Sequence, residues 1–178
     1  MKLRLFWAIT LPEEVKTRLD FLRQQWSPFL PGARWVEREN FHLTVKFLGE
    51  VEASMVAPLG EAVERGVARV RPFALELGGW GTFGRPPRVL GVGVRGDLPA
   101  LEELWRLVED VLAKLGFARE GQFSAHVTLA RLRRPQGVEI LRQQADADLA
   151  KAGMPCSVAV RELHLMQSRL TATGPHYK

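Results

Sequence analysis

The sequence predicts an α/β (α+β) fold built from two β-α-β-α-β units, and three observations predict it. Runs of strand character alternate with runs of helical apolar spacing. The order of these runs is given twice along the 178 residues. The tripeptide His-x-Thr also occurs twice, as His42-Leu43-Thr44 and His126-Val127-Thr128, each time in the second strand of its unit.

The elements follow in order. Leu3 to Thr10 reads as a strand, and Pro12 opens a helix that carries Val15, Leu19 and Leu22 on one face as far as Trp26. The His42 strand comes next, then a helix from about Ala53 to Val70 and a closing strand at Phe73–Leu77. The turn-rich stretch Gly78 to Pro87 marks the boundary between halves. The second unit begins with a strand at Val89–Val94. Leu98-Pro99 then opens a helix whose stripe is Leu101, Leu104, Trp105, Val108 and Leu112, ending at Gly116. The His126 strand, a helix from about Val138 to Ala152 and a strand from Cys156 to Met166 complete it. The step along the chain from His42 to His126 nearly equals the step from Pro12 to Pro99, so the halves agree within a short loop. The expectation is a single bilobal domain over residues 1–178, with pseudo-repeats at about 1–80 and 86–170. Its two lobes carry largely antiparallel sheets that face a central groove.

A hydrophobic content of 46% at this length supports a compact domain with a substantial core. No apolar stretch reaches the roughly 20 residues that span a bilayer, so no membrane partner is expected. The basic and apolar start, Met1 to Thr10, lacks a small-residue cleavage site and reads as a first strand. The single cysteine, Cys156, excludes a disulfide framework and points to the cytoplasm, as a buried structural thiol. The net charge of +5, carried mostly by arginine, favours anionic partners and suits bidentate phosphate contact.

One His-x-Thr is an ordinary feature of a half-exposed strand; two in the same context are not. Alternate strand residues share a face, so each imidazole stands beside its hydroxyl while Leu43, Val45, Phe47, Val127 and Leu129 turn toward a core. Two imidazoles and two hydroxyls about one cavity suit acid/base chemistry on a phosphate. One ring acts as base, the other as acid, and the threonines hold non-bridging oxygens. The chain has no His-x-x-x-His, no paired Cys and no carboxylate beside either motif on the same face, so neither a metal nor a cofactor is expected. His164 and His176 read as structural or surface histidines. Lys46 shares parity with His42 and Thr44 and could reach a phosphate or line a solvated rim; Arg131 has the opposite parity from His126 and should point away. Trp35, Phe83 and Phe123 could stack a base or belong to the core.

Both motifs with their flanks, Arg34-Trp35-Val36, His42 to Gly49, Arg85-Pro86-Pro87-Arg88-Val89-Leu90, His126 to Arg131 and Gln167-Ser168-Arg169-Leu170 through Gly174 and Tyr177, run through nearly the whole chain. They resemble the bacterial and archaeal RNA 2′,3′-cyclic phosphodiesterases, first described as 2′-5′ RNA ligases, of the 2H phosphoesterase superfamily. Ala125 departs from the proline often found there in that family. The resemblance implies metal-independent hydrolysis of RNA or nucleotide 2′,3′-cyclic phosphates to 2′-phosphates; a monomer is expected. It implies His42 as proton donor, His126 as proton acceptor, and Thr44, Thr128 and Arg131 as phosphate ligands. A 2′-5′ ligase, or a non-catalytic protein that binds RNA ends, would use the same residues.

Overall fold

A computed structural model describes residues 1–84, 86–134, 137–171 and 174–177, with side chains through Arg169. Its elements are β1 Lys2–Thr10, α1 Glu13–Trp26, β2 Arg34–Trp35, β3 His42–Glu52, α2 Val56–Gly66, β4 Phe73–Phe83, β5 Val89–Gly96, α3 Leu98–Lys114, β6 His126–Arg131, α4 Val138–Leu141, α5 Ala145–Lys151, β7 Cys156–Val160, β8 His164–Thr171 and β9 Gly174–Tyr177. The α/β class and the antiparallel pairing are as expected. The strands form one curled sheet in the order β7-β4-β5-β6-β3-β1-β8-β9, and β2 pairs with β6. The two half-sheets meet edge to edge where β3 pairs with β6 through Leu43 and Val127.

Several boundaries move. The helix expected from Ala53 to Val70 opens with a 3-10 turn at Ala53–Met55 and ends at Gly66. There a Cβ would run into Val111 Cγ2, so glycine lets α2 close on α3. Most of the expected connection at Gly78–Pro87 is the end of β4, which forms a hairpin with β5. The helix expected over Val138–Ala152 is broken into α4 and α5. The single strand expected from Cys156 to Met166 is two: β7 pairs with β4 and β8 with β1, near opposite ends of the sheet.

The helices also exchange halves. Helix α1 buries Val15, Leu19, Leu22 and Trp26 against Leu90 and Val92 of β5, Val127 and Leu129 of β6, and residues of α4 and α5. Helix α3 buries Leu101, Leu104, Val108 and Leu112 with Leu59 and Val63 of α2 against Leu5, Trp7 and Ile9 of β1 and Leu43 and Val45 of β3. Each unit thus lends its first helix to the strands of the other, and neither can complete a core alone. Asp97 starts α3 by accepting a hydrogen bond from the Ala100 amide at 3.1 Å, satisfying one of the first-turn donors. Cys156 is buried as expected, with its thiol pushed up chiefly by burial.

Candidate active site

Both cores draw their strand residues from one face of the sheet, so the residues alternating with them in β3 and β6 stand on the other face. The antiparallel register through Leu43 and Val127 places Thr128 across from His42 and His126 across from Thr44. Leu43 and Val127 are the middle residues of the two motifs, so a local two-fold axis passes between them and relates one motif to the other.

The same environment is built twice about that axis. His42 Nδ1 lies 2.7 Å from the Asn40 carbonyl oxygen, and His126 Nδ1 lies 2.8 Å from that of Ser124. A carbonyl only accepts, so each Nδ1 carries a proton and Nε2 is left as the titrating nitrogen of each ring. His42 Nε2 is 2.8 Å from Thr44 Oγ1. Aromatic rings steady both imidazoles: Phe6 at 4.9 Å from His42, and Phe83 stacked on His126 at 4.2 Å. Burial is the first cause that holds both histidines below the ordinary imidazole range, and the two carbonyl contacts work the other way. Lys16 and Arg131 depress His42 further, and Arg131 also depresses His126. The Arg131 charge is therefore felt by both rings.

That position corrects the parity expectation. Between Trp7 and Ala8 of β1 the register skips Val45, and between Leu90 and Gly91 of β5 it skips Leu129. These are β-bulges, each at the residue that follows a motif threonine, so they too are related by the repeat. Each reverses the alternation that follows it. In β6, Leu129 and Ala130 are both fully buried and Arg131 returns to the histidine face. At the bulge Gly91 is required, because a Cβ there would sit 2.7 Å from the Val127 carbonyl oxygen. In β3, Lys46 turns into the core and Phe47 becomes exposed, the reverse of what alternation predicts. Lys46 is therefore not a rim or phosphate residue.

The remaining candidates separate cleanly. Trp35 packs against the core around α1, and Phe123 stacks on Trp105 at 5.5 Å, so both are structural. His164 lies 3.1 Å from a Glu162 carboxylate oxygen; for His176 only the backbone, on β9, is described. Arg85, Ala172 and Thr173 fall outside the described residues. Among the described residues no three His, Cys, Asp or Glu side chains converge as a metal site, and no helix is long and apolar enough to cross a membrane.

A family model described as LigT like Phosphoesterase matches this chain twice in succession, over residues 9–91 and 93–177. This chain belongs to the LigT-like phosphoesterases. The RNA 2′,3′-cyclic phosphodiesterase of Aeropyrum pernix is 41% identical over 80% of this chain and 81% of its own. That of Archaeoglobus fulgidus is 33% identical over 99% and 97%. The crystal structure of Escherichia coli LigT complexed with 3′-AMP superposes with a TM-score of 0.79 at 28% identity, covering 100% of this chain and 95% of that one.

In this LigT-like phosphoesterase the sequence reading missed Lys16 and Phe6 beside His42, and it assigned to the core Phe47, which packs on Phe6 at 5.6 Å. Lys16 comes from α1 and donates to the Glu39 carbonyl at 3.2 Å; nothing local in the sequence ties it to His42. Phe6 alternates with core residues of β1, and Phe47 reaches the site face only through the bulge.

A pH prediction arises here. If one imidazole must be charged and the other neutral, kcat/KM follows a bell whose limbs belong to the free enzyme. Both histidines are depressed, so activity should fall on the alkaline side below the ordinary value of about 6.5. Replacing Arg131 by Met removes a cation that depresses both, and should move the whole bell to higher pH as well as weaken activity. A bell left in place by R131M would show that Arg131 does not depress the histidines, and a flat profile from about pH 5 to 9 with chemistry rate-limiting would contradict the two-histidine scheme.

Proposed function

We propose that this chain hydrolyses 2′,3′-cyclic phosphate ends of RNA, or small nucleoside 2′,3′-cyclic phosphates, to 2′-phosphates without a metal. His42 is the proton donor and His126 the proton acceptor. The observation that carries the reading is the pair of imidazoles about one local two-fold, each with Nδ1 committed to a backbone carbonyl and Nε2 left to exchange a proton. His126 Nε2 takes a proton from water as its oxygen attacks phosphorus. The P–O3′ bond breaks, and His42 Nε2 delivers its proton to the departing 3′-oxygen. The rings exchange protons with solvent before the next turnover. Thr44 and Thr128, on opposite strands, hold non-bridging oxygens, and Arg131 offsets the charge that builds on them. A bound phosphate opposes the depression of both histidines and so keeps the acid charged.

We read the two repeats as one domain that acts as a monomer, since both histidines and the threonines come from one chain and the helices are exchanged between the halves. The buried free thiol of Cys156 suits the reducing cytoplasm.

The experiment is incubation with a nucleoside 2′,3′-cyclic phosphate in the presence of chelator, with phosphorus NMR of the product. A clamp from two sides leaves only one ring oxygen in line with the attacking water, so 2′-phosphate alone is expected. A mixture of isomers or 3′-phosphate would show the clamp orientation to be wrong; loss on chelation with recovery on adding zinc or manganese would overturn the metal-free scheme. Thr44→Val and Thr128→Val keep shape and remove one hydrogen bond to a charged group. Each should cost about 1.5–3 kcal/mol of transition-state stabilisation, read as kcat/KM.

A further inference from the structure

The histidine face continues into an uncompensated strip of arginine. Arg34 of β2 lies directly across from Arg131 of β6. Its neighbour Trp35 packs into the core, so Arg34 points to the same face as Arg131, and both are exposed. Like charges directly opposite on a sheet repel. Here nothing offsets them: Arg34, Arg88, Arg131, Arg133 and Arg134 make no ion pair among the described residues. The three segments that meet there, 27–36, 78–96 and 121–138, contain no Asp or Glu. Arg88 joins the strip where its carbonyl accepts from the Leu132 amide, and Arg133 and Arg134 follow the end of β6. Along β6 the strip therefore leads away from His126 to Arg131, and to Arg34 beside it on the edge of β6 that also pairs with β3.

We infer that Arg34 binds the phosphodiester next to the cyclic end, so that the RNA chain leaves the site over β2 and the end of β6. Arg131, felt by both histidines, attends the reacting phosphate; Arg34, held opposite it at strand spacing, is placed for the neighbouring one. The two guanidiniums then face two phosphates, and a substrate with a second phosphate relieves a repulsion that a mononucleoside does not. This rests on the proposed hydrolysis of cyclic ends, and it makes Arg34 a determinant of preference for RNA over small cyclic nucleotides.

The test compares wild type, R34M and R34K on a nucleoside 2′,3′-cyclic phosphate and on a short oligoribonucleotide ending in the same group, across a salt series. For R34M, kcat/KM on the oligomer should fall about five- to tenfold, and its logarithmic salt dependence should flatten by about 0.7, the share of one single-strand phosphate contact. The nucleoside should be cleaved as by wild type, and R34K should restore the salt slope. An equal fall on both substrates would place Arg34 on the cyclic phosphate itself, and no fall on either would remove it from binding; each overturns the inference while leaving the hydrolysis intact. Wild-type protein inert on both substrates would overturn the hydrolase reading and this inference with it.

Discussion

His42→Ala and His126→Ala are each expected to lower turnover on a 2′,3′-cyclic phosphate by about 10²- to 10⁴-fold. Each removes one of the two imidazoles to which the proposed scheme assigns a proton transfer. The fold should survive, because both rings lie on the sheet face opposite the two cores and the bond each loses is to a carbonyl of its own strand entry. Thermal unfolding of the variants checks that. If the two histidines act as a unit, the double variant should be far less impaired than the product of the single losses. The roles separate on a nitrophenyl phosphodiester that the wild type cleaves, whose leaving group needs no proton. There H42A should lose much less than H126A, and equal losses would contradict the assignment of His42 as acid. Either variant retaining near-full activity would remove its histidine from the mechanism.

Lys46→Met is expected to destabilise the fold by about 3–5 kcal/mol, the range for stranding one member of a buried ion pair. Lys46 Nζ lies 2.8 Å from Glu109 Oε1, with the two side chains only 3% and 4% exposed. Lys46 also donates to the Ala118 carbonyl at 2.7 Å, and Glu109 Oε2 accepts from the Glu120 amide at 3.2 Å. The pair thus ties the loop that leads into His126 to the strand that carries His42. Without Lys46 the Glu109 carboxylate stays buried with its principal partner gone. The double replacement K46M/E109L removes both charges and should recover most of the loss. Denaturant midpoints of the two variants decide the matter: a cost below about 1 kcal/mol for K46M alone would mean that water reaches the pair and that it does not hold the loop.

The histidine pair and its shared face were legible in the sequence because the signal is local. His-x-Thr on an alternating strand fixes which side chains share a face, and its recurrence in the same element order implies two equivalent faces. Strands β1, β3, β5 and β6 and helices α1 and α3 were legible for the same reason. Their apolar periods are written in consecutive residues, with Pro12 and Pro99 near the helix starts. Where the reading failed, the deciding partner was distant. Phe73–Phe83 is a long strand despite its glycines because β5 and β7 pair with it on either side. The residues from Cys156 to Met166 carry an unbroken strand pattern, yet they divide at Arg161 because the two parts find different neighbours.

The sequence by itself determined the duplicated α/β order, the lack of an internal disulfide, and the histidines and threonines offered to the chemistry. Only the tertiary structure decided where Lys46, Phe47 and Arg131 point and which helix covers which strands. Strand parity is a local rule with a period of two, and it holds only while each residue has one partner across the ladder. At Val45 and Leu129 the neighbouring strand skips a residue, which reverses the side chains that follow, in β3 until a second skip at Leu48 restores them. That skip belongs to the pairing of two distant segments, so no single segment encodes it, and it is what turns Lys46 into the core and brings Arg131 to the histidines.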